Sequence, residues 1–353
     1  MTSGRFSPRA ALRRLVVAGG MVLSVGMHRA SPQPRRPSLP FGIPASDVPD
    51  QRLTLPLDHA ERLARARLSL DGLSLGDAFG QQFFRLAPVT LIDARAFPEP
   101  PWDWTDDTEM ALAITEVLTA CGCIERDVLA WRFARRWAAA PDRGYGRGAH
   151  HLLQEIYVGG DWREVAAGLF RGEGSLGNGG AMRVAPLGAY FADDPDRIVV
   201  EARASAEVTH AHPEGQAGAI AVALGAAHAW RHRAAPNAGK GAALLRFVLE
   251  RTPAGPTAAG IARAAELPPD ATPATAASLL GVGEDVTSMD TVPFSLWCAA
   301  RHLDDFEEAL WTTVSGLGDR DTTCAIVGGI VALAAETTVP ARWRAARAPL
   351  SVG

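Results

Sequence analysis

Twelve successive apolar residues that open on a pair of carboxylates constrain this fold more than any other feature. Gly318-Asp319-Arg320-Asp321-Thr322-Thr323 leads directly into the run from Cys324 to Ala335. A helix that is apolar on every side has no face to give to water, so it is expected in the interior. Its start then lies inside the protein or at the floor of a cleft. Two carboxylates there are costly unless something positive neutralises them. Arg320 is placed to serve one. A divalent ion would serve both, with threonine hydroxyls completing an all-oxygen shell. Such a shell selects hard cations, Mg²⁺ first and Mn²⁺ or Ca²⁺ after it.

A similar segment occurs about two hundred residues earlier, Trp104-Thr105-Asp106-Asp107-Thr108-Glu109-Met110 ahead of Ala111–Ala120. The plainer reading of each segment is capping, because Asp and Thr lead the N-cap preferences and acids in a first turn favour the helix dipole. Asp106 with Glu109 alone would be an ordinary capping box. Capping does not explain why the later pair precedes a wholly apolar helix.

Helical spacing recurs elsewhere: at Met110, Ala111, Ile114, Val117 and Leu118, and through 125–140, 215–230 and 292–303. Period-two alternation is scarce. The expectation is an all-α protein, a compact single-domain orthogonal helical bundle with a binuclear metal site in a central cleft. The domain is expected over 58–345, and the Pro-, Ala- and Thr-rich stretch 252–274 as a surface connection. Residues 1–57 form a basic, proline-rich extension, expected to be disordered. Seven arginines and two aspartates fall in its first fifty residues, leaving an acidic body in a chain of net charge −4. That body speaks against a nucleic-acid groove. The apolar segment Leu15–Met27 is too short to span a bilayer and lacks a good cleavage site, so a cytoplasmic protein is expected. A monomer is expected as well. Lys240 is the one lysine, and Ala-Gly-Lys-Gly-Ala around it is not a phosphate-cradling P-loop. Cys121, Cys123, Cys298 and Cys324 lack zinc-site spacing and are expected as buried thiols. His228 and His232, flanked by arginines, suggest a solvated helix end. Trp102 and Trp104 stand beside the first acidic cluster, where they would wall a cleft.

Gly177-Asn178-Gly179-Gly180-Ala181-Met182-Arg183 is a glycine-rich loop whose backbone amides suit an anionic ligand. With metal carboxylates, it points to a phosphate-bearing small molecule.

Gly76-Asp77-Ala78-Phe79-Gly80, Trp104–Thr108, Gly177–Pro186, Thr209-His210-Ala211-His212-Pro213-Glu214 and Gly318–Thr323 occur in the order seen in ADP-ribosylglycohydrolases. The sequence resembles that family over about residues 70–335. The resemblance implies an all-α fold with two Mg²⁺ (Mn²⁺ as substitute), cleaving the glycosidic bond between ADP-ribose and an acceptor. An ADP-ribosylated protein, arginine-linked above all, or an ADP-ribose-containing small molecule would be the substrate. Thr105, Asp106 and Asp107, with Asp319, Asp321 and Thr322, would be metal ligands. Asp107 would act as general base, assisted by Asp106. Gly177, Asn178, Gly179, Gly180, Met182 and His210 would line the ligand. One departure stands out. Family members often carry a glutamate just after the second glycine of Gly-Asp-x-x-Gly, and here the residues are Gln81, Gln82, Phe83 and Phe84. Glu99 and Asp103 are the nearby substitutes in sequence. The alternative is a non-catalytic ADP-ribose-binding protein of the same fold.

Overall fold

The computed structural model describes residues 55–84, 88–236, 238–334 and 339–350. The described residues form helices and no strand, with two isolated bridges at Trp102–Arg347 and Gly177–Thr287. The fold is all-α. Helices Asp106–Cys121, Arg126–Ala139, Pro213–Arg231 and Ser288–Arg301 fall where the spacing predicts them. The extension falls outside the described residues up to position 54. No described helix is long and apolar enough to cross a membrane.

Helix Arg320–Ala334 is buried from Thr322 to its end, as its apolar sequence requires. It runs antiparallel to the first helix, His59–Gln81, along a stripe of small residues four apart. A β-carbon on Gly72 would lie 2.3 Å from the Gly328 carbonyl oxygen, on Gly76 1.9 Å from that of Cys324, and on Gly80 2.2 Å from that of Arg320. Only glycine admits backbone this close. The stripe turns Asp77, one residue past Gly76, toward the start of the partner helix. A third interior helix, Pro213–Arg231, is buried from Glu214 to Ala229 apart from Gln216. Short helix Ala185–Tyr190 fits between them, with Gly188 against the Ala223 carbonyl.

Several expectations need correction. The 252–274 stretch is not a surface connection: helix Pro256–Glu266 buries Thr257, Ile261 and Ala264, and Gly260 lies on Pro293. Its alanines favour a helix, and Glu214 caps the start by accepting from the Thr257 N–H at 2.9 Å and hydroxyl at 2.6 Å. His228 is buried, stacked between His232 and Phe247; only His232 reaches solvent. Cys121, Cys298 and Cys324 are buried free thiols, whereas Cys123 is half-buried. Trp102 and Trp104 belong to the core. Trp102 packs with Phe79, Phe97 and Trp343, and Trp104 lies under the Arg143 guanidinium at 3.7 Å.

Candidate functional site

Helix Asp106–Cys121 begins in an unusual way. Its N-cap, Thr105, makes no capping bond with its own side chain. Asp77 from the first helix supplies the acceptors instead. Its carboxylate takes the Thr105 N–H at 2.9 Å, the Thr108 N–H at 3.1 Å, and the hydroxyls of Thr105 and Thr108 at 2.8 and 2.5 Å. The capping-box expectation fails for a physical reason: Glu109 is buried and ion-paired with Arg136 at 3.3 Å, facing away from the helix start. A borrowed cap leaves Asp106 and Asp107 free to face the second acidic segment.

There they meet it. Oxygens of Asp77, Asp107 and Asp321 lie within 4.8 Å of one another. Leu317 and Gly318 both adopt left-handed backbone, and this turn brings the Asp319 N–H to the Val282 carbonyl at 2.9 Å. Asn178 then donates its side-chain amide to Asp319 Oδ2 at 2.8 Å and to Thr291 Oγ1 at 3.0 Å. Asn178 therefore joins the glycine-rich loop to the carboxylates. Thr322 is buried and gives its N–H to Asp321 Oδ1 at 2.9 Å.

The cluster is short of positive charge. Among the described residues no ion pair reaches Asp77, Asp106, Asp107, Asp319 or Asp321. Arg320 makes no direct ion pair with them and acts on Asp321 and Asp319 only through its field: it donates to the Phe83 carbonyl at 2.8 Å and lies over the Phe84 ring. Burial, reinforced by neighbouring carboxylates, pushes Asp107 and Asp321 well above the usual range. Burial raises Asp77 to about 6, opposed by its four donors, and burial with the Asp77 charge raises Asp106 to about 7.

Two observations test whether a hard cation suits this donor set. Asp107 Oδ1 is buried and has no hydrogen-bond partner. Thr105 Oγ1 lies within hydrogen-bond distance of both Asp77 and Asp107, yet its single proton can satisfy only one of them. An oxygen-rich, cation-deficient cluster with an orphaned acceptor fits Mg²⁺ or Mn²⁺.

The ligand loop is held by the segment before helix Ser288–Arg301. Asn178 N–H bonds the Val286 carbonyl at 3.1 Å, and Ser288 Oγ donates to the Gly177 carbonyl at 2.9 Å. Gly179, Gly180 and Met182 follow in a short helix, with Gly180 and Met182 buried. The His210 ring lies against Gly177 and Gly179. Arg183, expected in the loop, is instead wholly buried behind it.

The sequence reading named every carboxylate here except Asp77, although it quoted that residue within a motif. The signal was available: an acid in mid-helix, between apolar neighbours and two glycines, has no reason to be buried without a task.

An all-α protein with carboxylates gathered at two helix starts beside a glycine-rich loop has the form of a metal-assisted hydrolase. The ADP-ribosylglycohydrolase family model matches residues 58–349, and the chain belongs to that family of glycosidase-type hydrolases. It is 28% identical to ADP-ribosylhydrolase ARH3 of Homo sapiens over 330 residues, covering 81% of this chain and 89% of the human one. Against ARH3 of Gallus gallus it is 36% identical over 180 residues, 46% of this chain and about half (49%) of the chicken protein. ADP-ribosylarginine hydrolase Tri1 of Serratia proteamaculans is 26% identical over 199 residues, 52% of this chain and 53% of that protein. A solved ADP-ribosylglycohydrolase-related protein complex superposes with TM-score 0.59 at 26% identity, covering 82% of this chain and 94% of the other.

Proposed function

We propose that the chain hydrolyses the glycosidic bond between ADP-ribose and an acceptor side chain, arginine above all, with two Mg²⁺ ions held by Thr105, Asp106, Asp107, Asp319, Asp321 and Thr322. The observation that carries this reading is the unneutralised carboxylate cluster with the unpartnered Asp107 Oδ1. The similarity to a relative named as an ADP-ribosylarginine hydrolase supports the arginine linkage. The working domain is residues 58–345, acting as a monomer. The four free cysteines suit a reducing cytoplasm.

Cleavage passes through an oxocarbenium-like state and needs an oriented ribose and a positioned water. Bound Mg²⁺ supplies Lewis-acid polarisation and a template for ribose hydroxyls. The protein does the rest. Asp77 fixes Thr105 and Thr108, and through them the direction of the Asp106 helix start. Asp107 gives one carboxylate oxygen to the metal and takes the proton of the attacking water on the other. Asn178 holds Asp319 in place while Gly177, Gly179, Gly180, Met182 and His210 receive the diphosphate and ribose.

One observation favours a second reading, an ADP-ribose-binding protein without turnover. Gln82 folds back onto the Ala78 carbonyl at 2.9 Å, Phe83 is buried among aromatic rings, and Glu99 and Asp103 are exposed. None of these replaces a glutamate at the centre. Incubating the protein with a mono-ADP-ribosylated arginine peptide, with Mg²⁺ or with chelator, separates the two. Mg²⁺-dependent release of intact ADP-ribose supports hydrolysis. Tight ADP-ribose binding without release from any linkage supports the second reading, and release of AMP defeats both.

A further inference from the structure

We propose that Arg183 is a positioning residue which acts through Thr209 to fix His210 as a neutral imidazole, offering its Nε2–H to an anionic oxygen of the ligand. The ligand assignment rests on the ADP-ribose reading above; the relay itself rests on geometry alone. Arg183 is fully buried and makes no ion pair with a carboxylate among the described residues. Its guanidinium lies over the Phe133 ring at 4.4 Å and donates to the Ser205 carbonyl at 3.0 Å and Thr209 Oγ1 at 2.8 Å.

Arginine only donates, so Thr209 Oγ1 accepts that bond and keeps one proton to give. Two acceptors compete for it, His210 Nδ1 at 2.6 Å and the Ala206 carbonyl at 3.4 Å. Giving the proton to Nδ1 leaves every group a partner at good distance, whereas an Nδ1–H donor would leave the hydroxyl proton only the carbonyl at 3.4 Å, where such bonds are weak. His210 Nδ1 is then an acceptor, and the ring's own proton sits on Nε2. That nitrogen has no partner among the described residues. It lies 3.4 Å from where a β-carbon on Gly177 would stand and 3.3 Å from that of Gly179. The ring is only 8% exposed and its Nε2 edge faces the glycines of the loop, so a ligand seated there would take the place of water as the partner of this donor. Burial, aided by the Arg183 charge, lowers the ring's pKa to about 3 and so opposes a second proton. The result is a donor whose charge does not change over the physiological range.

Selective ¹⁵N-histidine labelling of the full chain tests this, with His210 assigned by loss of its signal in H210Q. The expected wild-type spectrum shows Nε2 protonated, Nδ1 bare, and no titration between about pH 8 and 5. ADP-ribose should shift the Nε2–H signal. Thr209→Val should mix the tautomers and weaken ADP-ribose binding about tenfold, with Thr209→Ser restoring both. Arg183→Met should also mix the tautomers, and the Thr209 pair keeps the test open if that variant does not fold. An Nδ1–H tautomer, titration near the ordinary histidine range, or a Thr209→Val spectrum like wild type overturns the relay. Unchanged affinity in Thr209→Val despite mixed tautomers overturns the donor role. ADP-ribose that neither binds wild type nor shifts any histidine overturns the ADP-ribose reading, and the tautomer spectrum still decides the relay.

Discussion

Replacing Gly76 with alanine should damage stability and the site together. The added β-carbon would stand 1.9 Å from the Cys324 carbonyl oxygen, where ordinary contact begins at 3.4 Å, so the seam must open by about 1.5 Å. The opposing atom is backbone of a helix buried along its length, so no side chain can swing aside. Overpacking of this kind costs about 1–3 kcal/mol. We expect the upper end, about 3 kcal/mol, a fall in Tm of roughly 5 °C for a domain of this size. Asp77 follows Gly76, and Asp321 lies one turn before Cys324, so the same opening separates two members of the cluster. A displacement near 1 Å at reacting groups costs about 10²-fold in rate. Thermal unfolding followed by circular dichroism, with Mg²⁺ titration, reads both effects. Gly168→Ala is the control, since nothing lies within 4 Å of its β-carbon. It should be neutral or stabilising by about 0.5–1 kcal/mol. A Gly76→Ala protein that melts with wild type and binds Mg²⁺ equally well would refute the close-packed seam.

Other consequences are open to measurement. Asp107→Asn should lower turnover by about 10²–10⁴-fold while raising the melting temperature in chelator, because it removes a buried, unpaired acid; a rate within a factor of two of wild type removes Asp107 from the mechanism. Asp77, Asp106, Asp107 and Asp321 all have folded pKa values above their ordinary ones, so the folded chain keeps protons that the unfolded chain has lost. Metal-free stability should therefore fall as pH rises from about 4 through about 7, and Mg²⁺ should stabilise far more at pH 8 than at pH 5. Scanning fluorimetry with chelator and with Mg²⁺ checks this, and a metal-free stability that rises over that range would contradict it. Gln81→Glu or Phe84→Glu places an acid after the glycine stripe. A gain in turnover supports the loss of a catalytic acid, and no gain supports a mechanism complete without it.

The order of helices was legible because burial imposes periodicity: the Cys324–Ala335 run and the Met110–Leu118 spacing carry it directly. The 252–274 stretch was misjudged because its prolines and threonines look like a connection, whereas proline at a helix start and a cap from Glu214 make a helix. The carboxylates at both helix starts were legible as acids without a local reason to be buried. The role of Asp77 was not, since nothing local says that a carboxylate on one helix caps another twenty-eight residues away. His228 likewise required the packing of Phe247, a contact between helices that its neighbours in sequence do not announce.

The central claim is that two helix starts build one hard-cation site. Anomalous scattering from Mn²⁺-soaked crystals of the full chain, collected at the manganese edge, tests it most directly. The account predicts two peaks held by Thr105, Asp106, Asp107, Asp319, Asp321 and Thr322, and loss of density in Asp107→Asn. Crystals saturated with Mn²⁺ that show no peak at these carboxylates, or show it only elsewhere, would contradict the account.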